Sequence, residues 1–67
     1  MFVDKILENG VECVFITHSN KIRKAYRYKN IIWKIYASGG YSEVFESEIQ
    51  FSGTREEAKQ KYPELFF

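Results

Sequence analysis

Apolar and polar positions alternate with a period of two over most of this chain, the signature of half-buried β-strands. Val11–Thr17 (VECVFIT), Ile22–Tyr28 (IRKAYRY), Ile31–Ala37 (IIWKIYA) and Tyr41–Phe51 (YSEVFESEIQF) read as successive strands. They are rich in the β-branched and aromatic types that suit a pleated surface. Turn residues separate them: His18-Ser19-Asn20-Lys21, Lys29-Asn30 and Ser38-Gly39-Gly40, with Ser52-Gly53 closing the strand region. Two readings compete for the first nine residues. Asn9-Gly10 is a strong two-residue hairpin signal and would join Phe2–Glu8 to Val11–Thr17 as paired strands. Phe2, Val3, Ile6 and Leu7 also fall on one helical face, with Gly10 as a terminal cap. The hairpin is preferred, because the apolar strand Val11–Thr17 needs a partner. After Gly53 the pattern changes. Thr54-Arg55-Glu56-Glu57 is a capping box, in which the Thr54 hydroxyl accepts from the Glu57 amide and the Glu57 carboxylate accepts from the Thr54 amide. The helix it opens should stop near Tyr62, because Pro63 disfavours helical backbone in the residue before it.

Strand parity predicts which side chains share a face. If Tyr28 opposes Ile31 across the Lys29-Asn30 turn, Tyr26 faces Trp33 and Lys24 faces Ile35. If Ala37 opposes Tyr41, Trp33 faces Phe45 and Ile31 faces Ser47. Directly opposed residues of an antiparallel pair share a face. Tyr26, Tyr28, Ile31, Trp33, Ile35 and Phe45 then form a core face, continued by Ile49 and Phe51, and the C-terminal helix should cover it. The opposite face collects Arg23, Arg27, Lys34 and Tyr36, with Ile32, Val44 and Glu46 among them. A one-residue slip would bury the cations and expose Trp33, so the register is energetically determined.

The expected fold class is α+β: a small antiparallel meander of about three to five strands with one C-terminal helix packed on one face. At 67 residues the chain makes one small domain. Residues 1–18 supply the N-terminal hairpin, or a helix plus strand. Residues 22–51 supply antiparallel strands, 54–62 the helix and 63–67 an apolar tail. An apolar content of 45%, with five Tyr, six Phe and one Trp, is enough for a core and excludes disorder. A single cysteine excludes an internal disulfide framework, and no Cys-x-x-Cys metal pair is present. No basic segment leads into an apolar run, and no stretch approaches membrane-spanning length, so the expectation is a cytoplasmic protein with no membrane contact.

Charge changes this picture more than composition does. The net charge is +1, yet Lys21, Arg23, Lys24, Arg27, Lys29 and Lys34 fall together between residues 21 and 36 with no acid among them. Acidic flanks lie on either side. A nucleic-acid contact would therefore have to be made by one face. Cations interleaved with tyrosines suit that chemistry, since Lys and Arg meet phosphates or guanine edges while an aromatic ring stacks on a base. Catalysis lacks a comparable constellation. His18 lies in a loop, Cys13 alternates into a strand as a buried structural thiol, and Gly39-Gly40 lacks the helix and lysine of a phosphate-cradling loop. Glu43, Glu46 and Glu48 read as a polar edge that ion-pairs with Arg27 or Lys34. The chain is read as a non-enzyme with no cofactor and no metal site.

From Trp33 onward the string W-K-I-Y-A-S-G-G…F-S-G-T-R-E-E-A-K-Q-K-Y resembles the three-stranded-sheet-plus-helix DNA-binding domains of the APETALA/ethylene-response-factor type. It is also similar to the arm-site-binding N-terminal domains of phage integrases. Trp33 and Tyr36 match the middle strand of those families, and Phe51, Thr54, Glu57, Ala58 and Tyr62 match the last strand and helix start, over roughly residues 22–62. An extra residue between Phe51 and Thr54 departs from the pattern, as do the acids Glu46 and Glu48. The resemblance implies that Arg23, Arg27, Lys34 and Tyr36 are the groove-contacting set.

The leading functional expectation is a binding module that contacts DNA or RNA through Arg23, Arg27, Lys34 and Tyr36, with Lys21 and Lys29 on phosphates. The alternative is a small phage-type protein that binds and inhibits or modulates a host protein through the sheet face, an edge strand or the apolar tail Leu65-Phe66-Phe67. The same edge or tail offers a route to a homodimer.

Overall fold

The computed structural model describes residues 1–66. Its elements are a helix α1 (Phe2–Asn9), strands β1 (Val11–Thr17), β2 (Ile22–Tyr28), β3 (Ile31–Ile35) and β4 (Tyr41–Val44), a 3₁₀ turn (Glu46–Glu48), strand β5 (Ile49–Gly53), helix α2 (Arg55–Lys61) and a final 3₁₀ turn (Pro63–Leu65). All strands pair antiparallel in the order β4-β3-β2-β1-β5.

The N-terminal hairpin is not formed. Residues 2–9 are helical, and the reason lies in β1: it pairs with β2 along one edge and β5 along the other. With both edges occupied, β1 has none left for a hairpin partner at residues 2–8. A helix instead aims Phe2 and Ile6, four apart, at the sheet. Ile6 is fully buried, and the Phe2 ring packs edge-on against Tyr28 and Trp33, with centroids 5.8 and 5.1 Å away. Gly10 ends the helix in extended conformation, its amide donating to the Ile6 carbonyl at 2.7 Å.

The β2–β3 register is the expected one, Tyr28↔Ile31 and Tyr26↔Trp33, across a turn in which Lys29 and Asn30 both have positive φ (53° and 64°). Their ladder ends there and does not extend to Lys24 and Ile35. The next pairing is shifted by two residues. Ile35, not Ala37, opposes Tyr41, so Trp33 meets Glu43 and not Phe45, and Ile31 does not meet Ser47. The connection is longer than expected because Tyr36 and Gly40 bond to each other within it (2.8 Å), with Gly39 at φ 92°. An even shift preserves parity, so the assignment of β3 and β4 residues to faces survives.

Tyr41–Phe51 is not one strand. Val44 and Ile49 are five apart and would point to opposite faces of a continuous strand. The 3₁₀ turn between them lets both enter one apolar cluster, with Cys13, Phe15, Ala25 and Ile32. That cluster draws on all five strands. Its closure follows from chain length. Flat, four strand spacings would separate β4 from β5 by about 19 Å, whereas the link from Val44 to Ile49 reaches at most about 18 Å and less through a 3₁₀ turn. The sheet therefore curls, and the cluster lies on its inner side.

This corrects the expected core. Arg23, Arg27 and Lys34 share their side of the sheet with six buried strand residues, Cys13, Phe15, Ala25, Ile32, Val44 and Ile49, whereas Tyr26, Tyr28, Ile31, Trp33 and Ile35 on the other side are only half-buried. Phe45 leaves the predicted core and stands 54% exposed. Ile49 parts from Phe51, because the pairing shifts from Thr17↔Ile49 to Ile16↔Phe51 and leaves Gln50 as the extra residue of a bulge. The Gln50 amide donates to the Thr17 carbonyl and to Asn20 Oδ1, at 2.8 and 2.7 Å, tying down the β1–β2 loop.

Both helices lie on the outer side. α1 covers Trp33 and its neighbours, while α2 packs Ala58 against Val14 and Ile16, joined by Phe51, Tyr62, Leu65 and Phe66. α2 is on the expected face, but α1 is what lies over the indole. Leu65 and Phe66 fold back on that cluster; Phe67 lies outside the described residues. Among the described residues no helix is long and apolar enough to cross a membrane.

Candidate nucleic-acid interface

The alternation of β2 places Arg23, Ala25 and Arg27 on the inner side of the sheet, and the pairings Arg27↔Ile32 and Lys34↔Ser42 carry the same side across β3 and β4. Ala25 is 0% exposed. The two arginines flank it about 13 Å apart along the strand, with both guanidinium groups exposed. Arg27 Nη2 reaches Ser52 Oγ of β5 at 3.4 Å, and Arg23 Nη1 donates to the carbonyl of Ile22 at 3.2 Å. Lys34 Nζ stands 5.3 Å from the centre of the Tyr36 ring, and the Tyr36 hydroxyl bonds Ser42 Oγ at 2.8 Å. Arg23, Arg27, Lys34 and Tyr36 thus share one side of the sheet, around a filled apolar centre.

The other two nominated lysines stand at the ends of β2. Lys21 closes the loop after β1, where its amide donates to Thr17 Oγ1 at 3.1 Å. Lys29 occupies the opposite turn with its Nζ 5.5 Å from the Tyr28 ring centre. Tyr28 belongs to the outer side, so Lys29 leans away from the arginines. Lys24, by parity, is also on the outer side.

The expected pairing of Glu43, Glu46 and Glu48 with Arg27 or Lys34 is not formed. Among the described residues the one ion pair between side chains joins Lys24 to Glu12 at 3.4 Å, and this partner holds the Lys24 ammonium above its usual range. Glu43 opposes Trp33 on the outer side, and Glu46 and Glu48 sit on the 3₁₀ turn.

Phe45 was missed as a surface residue. It lines a cleft of about 400 Å³ with Arg27, Asn30, Ile32 and Glu46, which puts an exposed ring beside an exposed guanidinium. The adjacent apolar pair Val44-Phe45, which breaks the period of two, was the signal that could have located it. His18, expected in a loop, bonds the Ser47 carbonyl through Nε2 at 3.2 Å and so ties the end of β1 to the 3₁₀ turn. Cys13 is buried, and burial pushes its thiol pKa up, with Glu12 adding to that and the Arg27 charge opposing it. A thiol so held is a poor nucleophile. No family model, curated protein or solved structure matches the chain.

Proposed function

We propose that this chain is a non-enzymatic module that binds DNA or RNA on the inner side of its curled sheet. Arg23, Arg27 and Lys34 contact phosphates, Lys21 extends the charged track at one end of β2 while Lys29 leans to the outer side and stays off it, and Tyr36 and Phe45 offer ring faces to unpaired bases. The observation that carries the reading is that three cations share one side of the sheet with no carboxylate of the described residues within ion-pairing distance. Such cations have no ion pair to break on meeting a phosphate, unlike Lys24, which is already paired. The centre of that side is filled by Ala25 and Ile32, so contact is made by the rim. A rim suits a backbone and stacked single-stranded bases better than the edges of a duplex.

The test is the salt dependence of binding to a labelled oligothymidylate and to a duplex of the same length. With about four phosphates engaged, the logarithm of affinity should fall against the logarithm of salt with a slope of roughly −3. Exchanging Arg23 and Arg27 together for Glu should abolish retention. An affinity that does not change with salt, or survives the exchange, overturns the reading.

A further inference from the structure

A second recessed surface lies on the outer, helix-bearing side. α1 covers the end of that side formed by Tyr28, Trp33 and Tyr41, and α2 packs on β1 and β5, leaving an open strip above the first part of β2, from Ile22 to Tyr26. Three adjoining depressions occupy it. The largest, about 620 Å³, is walled by Ile22, Leu65 and Phe66 with Arg55 and Lys59 on its α2 side. It shares Arg55 with a neck bordered by Val14 and Lys24, and the neck shares Lys24 with a third depression formed by Leu7, Tyr26 and Ile35. Together they make one groove along β2 from Ile22 to Tyr26, about 13 Å by strand rise.

The groove combines an apolar floor with a cationic wall. The Arg55 guanidinium is held at its lip, 5.5 Å from the Phe66 ring centre. Among the described residues Glu12 is the one acid lining any of the three depressions, and it is already paired with Lys24. Arg55 and Lys59 are left as the charges available to a ligand. We propose that this groove binds an extended acidic segment of a partner protein, its aliphatic side chains seated at the Ile22–Leu65 and Tyr26–Ile35 ends and its carboxylates on Arg55 and Lys59. An extended peptide repeats its side chains every two residues, about 6.7 Å, which is the spacing of Ile22, Lys24 and Tyr26 beneath it. Two available cations over an aliphatic floor match a few carboxylates between Leu or Ile side chains; a polyphosphate backbone presents more charge and no such anchors.

The probe is a fluorescein-labelled octapeptide alternating Asp and Leu, with a Lys–Leu octapeptide as control, read by anisotropy. Wild-type protein should bind the acidic peptide and prefer it to the basic one. The double variant R55E/K59E should lose at least about tenfold in affinity for the acidic peptide and gain affinity for the basic one. Both positions are exposed, so the variant should keep its circular dichroism spectrum and melting temperature. The variant R23E/R27E, altered on the other side of the sheet, should bind the acidic peptide unchanged, which separates this surface from the nucleic-acid reading. The proposal is overturned if wild-type protein binds neither peptide or both equally, or if R55E/K59E binds the acidic peptide as wild type does. Loss of oligothymidylate binding in R55E/K59E, with the peptide displaced by that oligonucleotide, overturns it in favour of a nucleic-acid groove.

Discussion

Thr54 and Glu57 form the reciprocal cap that their spacing announced. The Glu57 amide donates to Thr54 Oγ1 at 3.1 Å, and the Thr54 amide donates to Glu57 Oε1 at 2.9 Å. Those bonds hold the Glu57 carboxyl below its usual range, the Thr54 backbone amide contributing most. A depressed folded-state pKa means stability that is present at neutral pH and is lost as the pH falls through the ordinary glutamate range to the lower folded value. Thr54→Ala should cost about 1 kcal/mol at pH 7 in urea titrations, and Glu57→Gln, which removes the titrating group that the Thr54 amide bonds, should weaken the dependence on pH across that window. An acid limb unchanged in Glu57→Gln would show that the carboxylate makes no use of the cap. At this scale the sequence was legible, because a cap joins residues three apart and needs no tertiary partner. The arginines were legible only in direction: parity put Arg23 and Arg27 on one side, while the bond from Arg27 to Ser52 depends on a strand 25 positions away.

Among elements, α1 is where local signals and the final structure part company. Asn9-Gly10 is compatible with a hairpin turn and with a helix end, and the choice was made by β5, whose occupation of the β1 edge excludes a hairpin between residues 2–8 and β1. Gly10 is needed for close approach and not for a positive φ. A Cβ there would collide with the Ile6 carbonyl oxygen and come within 3.3 Å of the Arg27 carbonyl oxygen. Gly10→Ala should therefore destabilise the fold by about 1–3 kcal/mol, as overpacking does, although alanine stabilises most helices. Were residues 2–17 a hairpin in solution, the same substitution would instead remove a positive-φ turn residue, and α1 amides would show no helical chemical shifts. The break between Val44 and Ile49 is the opposite case. The odd separation of two apolar residues was visible, but read as one strand it had no consequence until both were required in one cluster.

For the whole molecule the deciding feature is the curl. An open sheet would present Arg23, Arg27 and Lys34 on a flat polar face over which Ile32 contributes little. A curled sheet buries Ile32 to 4% exposure against Val44, Phe15 and Ile49. Ile32→Ala should then cost about 2–5 kcal/mol in denaturant unfolding, a core-sized effect from a position flanked by cations. A loss well under 1 kcal/mol would mean that the inner side is open. The curl also bears on the proposed contact, since it turns a flat platform into a rim and favours a flexible single strand over a duplex.

The amino-acid order by itself determined what short-range physics controls: the limits of β1 and β2, the Lys29-Asn30 turn, the α2 cap, the antiparallel α+β class, and the parity that sets the arginines opposite Trp33. Each depends on contacts within a few residues or on the two-residue period of a strand. The tertiary structure alone decided that residues 2–9 are helical, that Tyr41–Phe51 divides, that Ile49 and Phe51 face apart across a bulge, and that both sides of the sheet carry core. These outcomes follow from which strand edges remain unpaired and from how far a four-residue link can reach, quantities that exist only once all five strands are assembled.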